Sequence, residues 1–151
     1  MRKFTPAAFF ALAVFLILSC ASGPSSPEGT PEPEDELKKI YQEYRSSLIL
    51  EGAGNYEVVR GDTLAAITKR HYGNENGYYF PIIMMASSDV VADPDLIEPG
   101  MKLIIPDLKK NLDAPSSRRD IKSCLADIAN VYRSKGDSYT ETRLNNLADS
   151  L

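Results

Sequence analysis

The stretch from Tyr56 to Pro106 constrains the fold most, because glycines and prolines cut it into segments of fixed character. Tyr56–Arg60 alternates aromatic, charged and β-branched residues, the pattern of a short strand. Gly61 permits a sharp turn, and the Asp62 carboxylate is placed to cap a helix. Leu64, Ile67, Thr68, His71 and Tyr72 recur at i, i+3, i+4, i+7 and i+8, which predicts a helix with one mostly apolar face. Gly73 ends it. Tyr79–Ala86 has room for about two helical turns, with Pro81 tolerated only in the first. Pro94, Pro99 and Gly100 punctuate a loop. Met101–Ile105 reads as a second strand closed by Pro106. The predicted order is strand, helix, helix, strand.

These residues resemble the lysin motif, or LysM, family. The resemblance rests on Tyr56, Val58, Gly61-Asp62-Thr63-Leu64, Ile67, Tyr72-Gly73, Ile83, Ala86, Ile97, Pro99-Gly100, Leu103 and Ile105-Pro106. It implies an α+β fold, with a small βααβ domain at 55–107 and a two-stranded antiparallel sheet. It also implies binding to N-acetylglucosamine-containing glycans, in bacteria usually peptidoglycan. By position, the resemblance carries Gly61, Asp62, Thr63 and Leu64 to one wall of the sugar site. It carries Ala86, Ser87, Ser88, Asp89 and Ile97 to the other. Each has an architectural alternative: Gly61 and Asp62 serve equally as turn and cap, and Leu64 as core. Two departures from the family pattern stand out. Phe80 fills a place where the family commonly has Trp, and Ser87 one where it usually has Asn.

An uncharged glycan needs hydrogen bonds and apolar contact rather than a titrating side chain. Two loops meeting side by side supply this through unpaired backbone groups. Here those loops are Gly61–Leu64 and Ala86–Ile97.

Ile82, Met84 and Met85 make the second helix apolar almost all round, so it should be buried on more than one side. Glu34–Leu50, within a segment spanning 34–52, reads as a helix with acids at its N-terminus and a stripe of Leu37, Ile40, Tyr41, Tyr44 and Leu48. That stripe reads as packing surface, with Tyr41 and Tyr44 as a sugar-stacking pair the alternative. Leu108–Ser117 reads as a linker. Residues 118–151 read as a helical hairpin: Arg118–Lys135 with Ile121, Cys124, Leu125, Ile128 and Tyr132 on one face, then Ser138–Leu151 with Leu144, Leu147 and Leu151. One of the flanking helices is expected to cover Ile82 and Met85.

The first 33 residues carry an address. Residues 1–19 have a basic start, Arg2 and Lys3, then an apolar run, Ala7–Leu18, too short for a comfortable membrane span. The ending Ile17-Leu18-Ser19-Cys20 resembles the lipobox of bacterial lipoproteins, which implies an acylated Cys20 at the mature N-terminus. More than one acyl chain, at about 0.8 kcal/mol per buried CH₂, would anchor firmly. Residues 20–33, with Pro24, Pro27, Pro31 and Pro33, read as an extended tether reaching about 40 Å at ~3.1 Å per residue. The expected location is the bacterial cell envelope, facing the periplasm.

Net charge is −4. Residues 1–19 hold two basic and no acidic residues, so the remainder is more acidic still, which argues against a nucleic-acid partner. Two cysteines provide no disulfide framework, and a single histidine without a CxxC pair argues against zinc. No cofactor is expected. His71 reads as a helix-end histidine. No GxSxG, HExxH, P-loop or dinucleotide fingerprint occurs, so the chain reads as non-catalytic. Its expected partners are a peptidoglycan glycan strand and the membrane. The alternative is an envelope scaffold that uses the same fold to bind another envelope protein.

Overall fold

The computed structural model describes residues 32–151. The leader, Cys20 and nearly all of the tether lie outside those residues. Helix α1, Pro33–Tyr44, starts on Pro33 with Glu34, Asp35 and Glu36 in its first turn, where the helix dipole favours acids. Leu37 and Tyr41 are buried. The helix stops six residues short of the expected Leu50. Ser47 Oγ donates to the Tyr44 carbonyl at 2.7 Å in a closing 3₁₀ turn, Arg45–Ser47, and Leu48 is already extended. Ile49 then runs alongside the Asn111 side chain. Asn111 accepts from Ile49 N–H at 2.8 Å and donates to Ile49 C=O at 3.0 Å.

Strand β1, Gly54–Glu57, pairs antiparallel with β2, Lys102–Ile105, in the register Gly54 to Ile105 and Tyr56 to Leu103. The first strand therefore begins and ends earlier than Tyr56–Arg60. Val58 still exchanges backbone bonds with Gly100 and Met101, but Val59–Asp62 closes into a turn that takes Arg60 out of the ladder. Between the strands come α2, Leu64–Tyr72, a 3₁₀ segment, Asn74–Tyr79, and α3, Phe80–Ala86. Leu64, Ile67 and Thr68 form the buried face of α2; His71, assigned to that face by spacing, is exposed. Gly73 closes α2 at φ 99°, a left-handed conformation that favours glycine.

All seven residues of α3 are buried. Both α1 and a later helix, Pro115–Ser134, pack against it, so the apolar second helix is covered from two sides, as its composition requires. Each such Ile or Met contributes about 1.5–3 kcal/mol by leaving water.

The expected linker after β2 is helical. Asp107 caps α4, Leu108–Asp113, by accepting from Lys110 N–H at 2.9 Å. Pro115 is not a breaker but the first residue of α5, Pro115–Ser134. After a turn at Gly136, Asp137 caps α6, Ser138–Ser150. These two helices form the predicted hairpin. Leu144 is buried between them, while Leu147 and Leu151 are only partly covered. A single hydrophobic cluster runs from Leu37 through the motif to Ala148. Tyr41 lies inside it, and Tyr44 donates to Asp127 of α5 at 2.7 Å, so the N-terminal tyrosines are packing residues.

Candidate functional site

The predicted loops do meet, but not through all the residues assigned to them. A groove of about 210 Å³ lies at the start of α2, lined by Asp62, Thr63, Leu64 and Ala65 on one side and by Pro94, Asp95 and Ile97 on the other. Phe80 completes the lining. Leu64 and Phe80 are core residues that present apolar surface to it. The groove is smaller than the roughly 300–1,000 Å³ pockets that enclose drug-sized ligands, and suits part of a longer chain.

The first wall is built by a tight turn. Gly61 has φ 90°, with open space where a side chain would sit, so it serves the turn. Asp62 is not the helix cap. Its Oδ2 accepts from Tyr56 O–H at 2.7 Å and from Val59 N–H at 3.0 Å, and its Oδ1 from Arg70 at 3.3 Å. These bonds, led by the Val59 amide, hold its carboxyl below the usual range. The same carboxylate pushes the Tyr56 phenol up. Arg70 also donates to the Tyr56 hydroxyl oxygen at 2.5 Å and covers its ring at 5.4 Å. The cap is Thr63, one residue later, whose hydroxyl accepts from Ala66 N–H at 3.2 Å. Thr63 is exposed, and its O–H donates to none of the described residues. The first-turn amides of Leu64 and Ala65 have no intrahelical acceptor, as at any helix start.

Of the second-wall residues that the resemblance named, most do not line this groove. Ala86, Ser87 and Ser88 are buried, and only Ile97 of the five residues reaches the groove. Ser87, 1 % exposed, holds α3 to the sheet: its Oγ accepts from Ile104 N–H at 2.9 Å. Ser88 Oγ is buried and has no partner among the described residues. Asp89 is exposed but ion-paired with Arg45, at the end of α1. The groove's far lip is instead Pro94 and Asp95, which sequence reasoning missed although both lie within the loop it delimited. Their signal was the Asp93-Pro94-Asp95 turn chemistry. Among the described residues, the carbonyls of Pro94, Asp95 and Ile97 accept no backbone hydrogen bond. The groove thus has the start of α2 on one side, a loop whose carbonyls at Pro94, Asp95 and Ile97 accept no backbone hydrogen bond among the described residues on the other, and Leu64 and Phe80 in its lining.

A larger cleft of about 720 Å³ lies at the opposite end of α2, lined by His71, Tyr72, Tyr79 and the segment after β2. Several of its polar groups are already engaged. Tyr72 O–H donates to Pro106 C=O at 2.9 Å, Asn76 to Tyr72 C=O at 2.6 Å, and Lys109 pairs with Asp113. Burial pushes the Tyr72 phenol up. His71, in the last turn of α2, meets the Tyr56 ring edge-on at 5.4 Å.

Comparison with known proteins agrees with this architecture. The LysM domain family model matches residues 56–106. Two curated proteins of Mycobacterium tuberculosis, Esterase MT1326 (strain CDC 1551 / Oshkosh) and Esterase Rv1288 (strain ATCC 25618 / H37Rv), are each 36% identical over 63 residues. The aligned region is 42% of this chain and 13% of either esterase, so the chain spans only a small part of their length. No solved structure matches. From the strand order, the turn at Gly61 and the matched family model together, residues 56–106 of this chain are a LysM domain.

Proposed function

We propose that the chain binds the N-acetylglucosamine-containing strands of peptidoglycan without catalysing their cleavage, as a lipid-anchored protein of the bacterial cell envelope. The observation that carries this reading is the groove between Asp62–Ala65 and Pro94–Ile97, lined by the start of α2, by a loop with carbonyls free of backbone partners among the described residues, and by Leu64 and Phe80. A sugar ring there meets Leu64 and Phe80 with its apolar face, while Thr63 and the first-turn amides take its hydroxyl and acetamido groups. No charged side chain has to change protonation. The esterases share only the matched region, so their names transfer no activity to this chain. Acylation at Cys20 and the proline-rich tether would hold the domain away from a membrane, facing the periplasm.

A second reading, an envelope scaffold that binds a protein instead, draws support from the burial of Ala86, Ser87 and Ser88, which narrows the sugar site. A sedimentation assay with insoluble peptidoglycan separates the two. Retention that falls when Thr63 is replaced by Trp supports glycan binding. Absence of retention, with an envelope protein co-purifying instead, supports the scaffold. Fatty-acid labelling that disappears in Cys20→Ala tests the anchor.

A further inference from the structure

The far lip of the groove is held from outside the LysM domain. Asp93, directly before that lip, is 4 % exposed. Its Oδ1 accepts from Asp95 N–H at 2.7 Å, and its carbonyl from Leu96 N–H at 3.1 Å, which folds Pro94–Leu96 into a turn. Its other carboxylate oxygen lies 3.7 Å from the Lys135 ammonium, which is also 3.9 Å from Asp95 Oδ2. These are ion-pair distances, longer than a direct hydrogen bond. Lys135 is the C-cap residue of α5 and belongs to the helical hairpin. Its amine sits 5.3 Å from the centre of the Tyr132 ring, and its side chain is 27 % exposed, so the cation is steadied by packing. Among the described residues, Lys135 is the one cation within 4 Å of Asp93. A carboxylate this buried is strongly disfavoured when left without a countercharge.

We propose that Lys135 is a positioning residue for the groove: from the C-terminal hairpin it neutralises buried Asp93 and so fixes Pro94, Asp95 and Ile97 in the place where they face Thr63. The helices appended to the LysM domain are then part of its binding apparatus. This rests on the glycan reading only for its consequence, because the order of the lip is measurable without sugar.

The test uses the full chain in detergent, with hydrogen exchange at the Asp95 and Leu96 amides and sedimentation with peptidoglycan as two readouts. Lys135→Met should speed exchange at both amides about tenfold and weaken retention about as much, between the small effect of an exposed ion pair and the large one of a buried pair. Asp93→Asn/Lys135→Met should restore both, since the amide keeps the acceptor for Asp95 N–H and removes the unpaired charge. Lys135→Arg should stay close to wild type. A purely structural role for the lysine stem would leave the double variant as defective as the single one. Unchanged exchange in Lys135→Met, or no recovery in the double variant, overturns the proposal. Should wild type fail to sediment, the glycan reading falls, and the exchange data still decide the role of Lys135.

Discussion

Replacing Ser87 by Ala separates architecture from recognition. The serine stands at a family site position, yet its hydroxyl is buried and accepts from the Ile104 amide at 2.9 Å. Alanine removes that acceptor and leaves a strand N–H facing a methyl group. An unsatisfied backbone donor of this kind costs about 1–3 kcal/mol. Because Ile104 is only partly buried, water can recover some of this, so a loss of about 1.5 kcal/mol is expected. For a domain of this size that corresponds to a melting temperature lower by about 5 °C. Urea unfolding should show a lower midpoint with an unchanged slope, because the surface exposed on unfolding is the same. Peptidoglycan sedimentation, measured well below the transition, should match wild type. A variant with normal stability that loses retention would refute the inward role assigned to Ser87 and return it to the sugar site.

Other perturbations test neighbouring parts of the account. Asn111 is fully buried and also accepts from Ser117 O–H at 2.9 Å, so Asn111→Ala should cost about 3 kcal/mol in urea unfolding; a loss under about 1 kcal/mol would mean that this amide does not join the segment after α1 to the helices that follow β2. Cys124 lies inside the core and burial pushes its thiol well above the usual range, so a thiol reagent should leave native protein unlabelled and react only after denaturant is added; rapid native labelling would contradict the packing. The Asp62 carboxyl is held below its unfolded value of about 3.9, so its stabilising contribution is complete above that pH and disappears as pH falls through the lower folded value. Asp62→Asn should therefore flatten the loss of stability below about pH 4; an unchanged acid profile would remove Asp62 as a cause.

Much of the fold was legible because local signals and burial agreed. Gly61, Gly73 and Pro81 stand where the backbone needs them, and the apolar circumference of Ile82, Met84 and Met85 correctly required cover from outside the motif. What was not legible depended on contacts distant in sequence. The end of α1 is drawn out by Asn111, more than sixty residues away. The Leu108–Ser117 segment resembles a linker because Pro115 at a helix start and Pro115 in a loop look alike until Asp107 is known to cap and Asn111 to be buried. The turn at Gly61–Leu64 was legible because its geometry is local, and Asp62, Thr63 and Leu64 of it line the groove. Spacing alone could not tell that Ser87 points into the sheet whereas Pro94 and Asp95 reach the groove. That outcome depends on how the loop is pinned by Val91 and Asp93, both buried.

The most direct measurement is a titration of the ¹⁵N-labelled chain with soluble N-acetylglucosamine oligomers, followed by amide chemical shifts. The largest shifts should fall on Thr63, Leu64, Ala65, Asp95 and Ile97, with the amides around Ser87 and those lining the His71–Leu112 cleft left nearly unmoved. Shifts concentrated in that cleft, or none anywhere at saturating oligomer, would contradict glycan binding at the groove.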